Sequence, residues 1–152
     1  MTNERIAPNA CDALLEEHRK LMGQIGELRQ WWSELDELGT PKYGEMGTRL
    51  KLLREILAEH FREEENGGYL AAALAVAPRF QREAEELCAQ HPDFLASLDQ
   101  FVASLVEAES GMQSWQEVRD QLEHFLSELR RHEARENAVV QSAFGDDIGT
   151  AD

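Results

Sequence analysis

The chain carries five histidines, His18, His60, His91, His124 and His132, and four of them stand where a leucine would be ordinary. His18 continues the series Leu14, Leu21, Ile25, Leu28, Trp32 and Leu35. His60 falls in line with Met46, Leu50, Leu53 and Leu57. His91 falls in line with Leu87, Phe94, Leu98, Val102 and Leu105, and His132 with Val118, Leu122, Phe125, Leu129 and Val139. Residues three and four apart share one face of a helix, so each of these histidines belongs to an apolar stripe. His124 does not: its helical neighbours Glu117, Asp120, Gln121, Glu128 and Arg131 make a polar face. One imidazole in a core is ordinarily a hydrogen-bonded structural residue. Four on four stripes, left without partners, would cost on the order of several kcal/mol. A partner shared by all of them is the economical expectation.

Two glutamates join the same stripes. Glu64 lies four residues after His60 in HFREE, and Glu136 four after His132 in HEARE. A buried carboxylate is tolerated when it is paired or holds a metal ion. No Lys or Arg falls on these stripes near the histidines; Lys20 and Arg62 point elsewhere by the same count. A mixed set of imidazole nitrogens and carboxylate oxygens suits iron, manganese or zinc better than calcium, magnesium or Cu(I). Glu63 competes with Glu64, being three after His60 and seven after Ile56. Arg135 occupies the matching offset after His132 and favours Glu64. Glu17 and Glu133 adjoin the histidines but are expected to face solvent. Cys88 and the Trp31-Trp32 pair are read as packing residues, and Tyr69 as structural rather than an electron donor.

Such groups need rods to carry them. Leu, Ala, Glu, Gln and Arg dominate the chain, and strand-like alternation of β-branched residues is missing. Breaks fall at Gly39-Thr40-Pro41, Asn66-Gly67-Gly68, Ala77-Pro78 and Ser110-Gly111. They leave amphipathic segments over about 12–38, 45–66, 79–109 and 113–144, with a short Ala-rich piece at 69–77. Pro92 is expected to kink or restart the third long segment near His91. At about 1.5 Å per residue the segments are rods of roughly 33–48 Å. The expected fold is all-α, an up-down-up-down antiparallel four-helix bundle, in a single domain over 1–152 with short frayed tails at 1–8 and 145–152.

Composition narrows the partners. Thirty acidic residues against 15 basic ones give a net charge of −15, which disfavours nucleic acid and anionic membrane surfaces. At 42% hydrophobic residues the chain is too apolar for a disordered acidic tail. It has no apolar run of transmembrane length. MTNERIAPNACD lacks the apolar core of an export signal, and two cysteines, Cys11 and Cys88, make no disulfide framework. A cytoplasmic, reducing setting is expected, as monomer or dimer.

The ordered set His18, His60-x-x-x-Glu64, His91, His132-x-x-x-Glu136 resembles the hemerythrin-like (HHE cation-binding) family, in the branch written H-HxxxE-H-HxxxE. The likeness covers about 12–144, through LLEEHRKL, LAEHFREEE, CAQHPDFLASL and LRRHEARENAVV. It implies a four-helix bundle around two iron ions with an oxo or hydroxo bridge. His18 and His60 would hold one ion, His91 and His132 the other, and Glu64 and Glu136 would bridge. The chain departs from oxygen-carrying members of the family. Leu87 and Leu95 stand four residues either side of His91, where those have a second histidine. The last acid is Glu four after its histidine rather than Asp five after.

The implied function is a non-haem di-iron protein that binds or reacts with a small oxidant, O2, peroxide or NO. Redox chemistry, catalase-like in one form, is favoured over simple O2 carriage. An iron or oxygen sensor, an iron store, and a zinc-stapled helical interaction module are the competing readings.

Overall fold

The computed structural model describes the backbone over residues 2–38, 42–66, 68–109 and 114–151, and side chains over 12–34, 42–66, 68, 70–106, 114 and 116–145. Four long helices, α1 (Thr2–Leu38), α2 (Tyr43–Glu65), α4 (Gln81–Glu109) and α5 (Trp115–Ala151), form an up-down-up-down antiparallel bundle. The short helix α3 (Tyr69–Val76) and a 3₁₀ turn at Pro78–Phe80 join α2 to α4. Among the described residues there is no strand. No helix among the described residues is long and apolar enough to cross a membrane.

In the bundle α1 packs on α5, α5 on α4, and α4 on α2. The α3 helix packs on α5, α1 and α2 and closes one end. The turn before it depends on Gly68. A Cβ there would lie 2.5 Å from the Glu63 carbonyl oxygen and 3.3 Å from Glu64 Cα, so only glycine allows the chain so close to the end of α2.

The third long segment does not restart at Pro92, and the outer helices run past their expected limits. Pro92 sits inside α4, which runs unbroken from Gln81 to Glu109. Proline removes the hydrogen bond to the Cys88 carbonyl and costs about 3 kcal/mol in a helix interior. The ring is exposed, and the buried stripe Leu87, His91, Phe94, Leu98 on either side holds the helix together. The outer helices also run past the expected limits, α1 beginning at Thr2 and α5 ending at Ala151. Once a helix is nucleated each added residue gains a hydrogen bond, so a stripe that ends does not by itself end the helix.

The interior has three layers. One apolar cluster includes Leu21, Ile25, Trp32, Leu50, Leu57, Phe61, Leu98, Phe125 and Leu129. A second, under α3, includes Leu14, Leu70, Ala73, Leu87, Val139, Val140 and Phe144. Between them lies a polar layer: His18, His60, Glu64, His91, His132, Glu133 and Glu136 are all buried. Trp32 is buried in the first cluster, and Trp31 packs beside it with the Arg49 guanidinium 4.0 Å over its ring.

Candidate metal centre

Each helix delivers its polar residue at the same height because the flanking stripe residues fix it there. His18 sits between Leu14 and Leu21, His60 between Leu57 and Glu64, His91 between Leu87 and Phe94, and His132 between Leu129 and Glu136. The imidazoles meet in two pairs of nearly identical geometry. His18 and His60 have ring centroids 5.0 Å apart at 67°, and His91 and His132 5.1 Å apart at 67°.

Three rings donate their Nδ1 hydrogen away from the centre. His18 donates to Asn137 Oδ1 (2.6 Å), His60 to Glu17 Oε1 (2.9 Å) and His132 to Gln90 Oε1 (2.7 Å). The fourth, His91 Nδ1, lies 3.6 Å from Glu65 Oε1. An oxygen acceptor on Nδ1 keeps the hydrogen there and leaves the Nε2 lone pair for the interior.

The inward Nε2 atoms meet carboxylates. His18 Nε2 is 2.6 Å from Glu133 Oε2 and 3.8 Å from Glu136 Oε2. His60 Nε2 touches Glu64 and lies 3.6 Å from Glu133 Oε1. His132 Nε2 touches Glu136 Oε1, which is also 3.8 Å from His91 Nε2. None of these four Nε2 atoms, nor any oxygen of the three carboxylates, has a hydrogen bond of good geometry. With Nδ1–H committed outward, a neutral imidazole presents a lone pair to a carboxylate lone pair. The arrangement is sensible only with a cation between them, a metal ion or a proton. No lysine or arginine is among the buried charged groups of the described residues.

Within this layer two groups have donor atoms all within 4.8 Å of one another: His18, His60, Glu64 and Glu133 in one, and His91, His132 and Glu136 in the other. Glu136 reaches both, its Oε2 toward His18 and its Oε1 toward His91 and His132.

The protonation pattern without metal reflects this crowding. Burial pulls the His60 imidazolium down, but contacts with Glu133 and Glu64 outweigh it and push the group up to about 11. Burial raises Glu64 to about 9, with the neighbouring Glu136 carboxylate adding to the effect against His60. Burial would also raise Glu133 and Glu136. His18 and His60 nonetheless hold Glu133 below its ordinary range, and His132 and His91 do the same for Glu136.

All six residues expected from the spacing, His18, His60, Glu64, His91, His132 and Glu136, come together in this layer. His124 is exposed, as is Glu63, which removes Glu63 as an alternative to Glu64. Lys20 and Arg62 are exposed as expected. Cys88 is half-buried against the second apolar cluster, and burial and nearby glutamates push its thiol up to about 11. The side chains of Tyr69, Leu35 and Cys11 lie outside the described residues.

Two expectations fail. Glu133 does not face solvent: it is 3% exposed, inside the centre. Its signal lay in the sequence, since Leu126 seven before and Val140 seven after are both buried. Because α5 packs on α1, α3 and α4, its buried arc is wider than one stripe. Glu17, 31% exposed, does not simply face solvent either but bonds His60.

An antiparallel four-helix bundle whose buried layer is built from histidine and glutamate donors defines a class of protein made to hold cations in its core. The chain belongs to the hemerythrin HHE cation-binding domain family, whose pattern matches residues 9–144. No curated protein and no solved structure matched the chain.

Proposed function

We propose that the buried layer holds two iron ions and that the protein reacts with a small oxidant, O2, peroxide or NO, in redox chemistry rather than simple O2 carriage. The observation that carries this reading is Glu136, whose two oxygens face two separate histidine pairs. A carboxylate so placed belongs between two cations.

In this reading His18, His60 and Glu133 serve the first ion, His91 and His132 the second, and Glu64 and Glu136 lie between them. Three carboxylates offset most of the charge of two divalent ions. The mixed nitrogen and oxygen donor set suits iron. Bound iron would supply one-electron chemistry and a binding position for the oxidant. The chain's own part is to orient the imidazoles through Asn137, Glu17 and Gln90 and to keep water out with apolar layers above and below. Phe61 stacks on His91 at 3.9 Å and 6°, and Phe94 meets His132 edge-on at 5.1 Å, so one wall of the layer is aromatic.

The test is the reaction of iron-loaded protein with peroxide and with O2, followed by its absorption spectrum. A yellow-to-red ferric chromophore, and oxidation that does not reverse when O2 is pumped off, support the reading. A colourless protein holding zinc would favour the stapled-module alternative. Release of unchanged O2 would make the protein a carrier. Peroxide turnover that survives both His60→Ala and Glu136→Ala would have another source.

A further inference from the structure

The seam between α4 and α5 does not close along its outer side. On α4, Ser97, Gln100 and Ser104 follow Asp93 at steps of four, three and four, and on α5, His124 and Glu128 follow Gln121 at steps of three and four. Residues at such steps share a helix face, so two faces of small or polar side chains meet where a bundle ordinarily sets leucines. Between them lies a groove of about 870 Å³. That is within the range of small-molecule sites, about 300–1,000 Å³. A groove between α1 and α2 holds only about 220 Å³.

The base of the α4–α5 groove is aromatic. Phe94, Phe101 and Phe125 are buried there, with Phe125 crossing Phe94 at 5.8 Å and 80° and Phe101 at 5.5 Å and 77°. Aromatic faces stack flat rings and attract positive charge. The rim is acidic: Asp93, Asp120 and Glu128 line it, and no Lys or Arg does. Glu128 is paired with Arg131 at 2.9 Å, whereas Asp120 accepts from the neutral Gln116 amide and keeps its charge. Gln90 and Phe94 line the inner end, and both also meet His132, at 2.7 Å through its Nδ1 and at 5.1 Å ring to ring.

We propose that this groove binds a small organic cation with a flat aromatic body. Its ring lies over the three phenylalanines, its charge among Asp93, Asp120 and Glu128, and its inner edge against Gln90. Charge and shape choose the ligand class together. An anion would meet carboxylates and no basic side chain. An uncharged apolar molecule would cover the acidic rim without pairing it, at a cost in desolvation. A cation without an aromatic body would leave the phenylalanine base unused. None of the seven buried His and Glu residues of the polar layer lines the groove, so the site does not rest on the iron reading.

The experiment is a calorimetric titration of the purified full-length chain with three probes that share one ring system. They are the N-methylphenazinium cation, neutral phenazine and the phenazine-1-carboxylate anion. The cation should bind one per chain, at least tenfold tighter than phenazine and more weakly as salt rises, and the anion should show no saturable binding. Asp93→Asn together with Asp120→Asn should weaken the cation at least fivefold. Ser97→Trp or Ser104→Trp fills the groove and should abolish binding with metal content unchanged, whereas Gln24→Trp, in the α1–α2 groove, should leave binding as it was. No saturable binding of the cation, or an anion that binds as tightly, would overturn the proposal. So would cation binding that survives both groove-filling variants, which would place it on the acidic surface at large. An arginine tripeptide that binds where none of the three rings does would make the groove a peptide site and overturn it as well. The wild-type comparison of the three charges decides the ligand class, so a variant that fails to fold does not shield it. None of these failures touches the iron reading.

Discussion

Glu133 Oε2 stands 2.6 Å from His18 Nε2, both residues 3% exposed, and neither atom has a hydrogen bond of good geometry. A carboxylate and an imidazole brought together in this way, from opposite ends of the chain, need a positive charge between them. In the metal-free protein it can only be a proton, and in the loaded protein it is a metal ion.

Metal removal should destabilise the fold. An ion that binds only the folded state adds RT ln(1 + [L]/Kd), about 4 kcal/mol at a thousandfold excess over Kd. For a domain of this size that corresponds to roughly 8–16 °C in melting temperature. Calorimetry before and after verified chelation checks this, and coincident melting curves would count against it.

The pH dependence has a definite sign. His60 in the metal-free fold stands at about 11 against an ordinary 6.5, so the stability it contributes is complete below 6.5 and is lost as pH rises toward 11. Glu64, raised from 4.5 to about 9, acts in the same direction, its contribution falling between those values. Glu133 and Glu136, both lowered, stabilise above the ordinary carboxylate range and lose that contribution on acidification. Stripped protein should therefore melt lower as pH rises from 6.5 to 9. Metal affinity should rise over the same interval, because the ion displaces protons from His60 and Glu64. Parallel melting and binding series test both limbs, and a pH-independent affinity would contradict the second.

Gly68→Ala should disturb the centre from outside it. The new Cβ would sit 2.5 Å from the Glu63 carbonyl oxygen, forcing the end of α2 to shift and Glu64 with it. A loss of about 1–3 kcal/mol is expected, together with weaker metal binding. Unchanged urea midpoint and metal content would show that the turn does not position Glu64.

Gln90→Leu should lower metal affinity about 10–100-fold by freeing the His132 ring from its Nδ1 partner. His124→Ala should leave metal content as it was, since His124 is exposed on the polar face of α5. Competition with a calibrated chelator compares the two directly. Equal losses in both would mean that the effect is general destabilisation.

The bundle was legible in the sequence because four long stripes with short breaks have few other ways to bury themselves. The six residues at stripe positions, from His18 to Glu136, were legible for the same reason: a polar residue is conspicuous where a leucine is expected. Glu133 was missed although Leu126 and Val140 stand seven residues either side of it, because spacing along one line ignores how wide an arc a helix buries when it has three neighbours. Glu17, Gln90 and Asn137 were not legible at all. Their roles depend on which residue of one helix ends up opposite a ring of another, and that register is set by packing between rods. Pro92 does not restart the helix because a local helix penalty of about 3 kcal/mol is smaller than what the flanking buried stripe contributes.

Native mass spectrometry of purified, iron-reconstituted protein tests the central claim most directly, since it counts ions on the folded chain. The centre described here should give two irons per chain in the wild type, with fewer in Glu136→Gln. A wild-type chain that carries one ion or none after reconstitution, or a Glu136→Gln chain that still carries two, would contradict it.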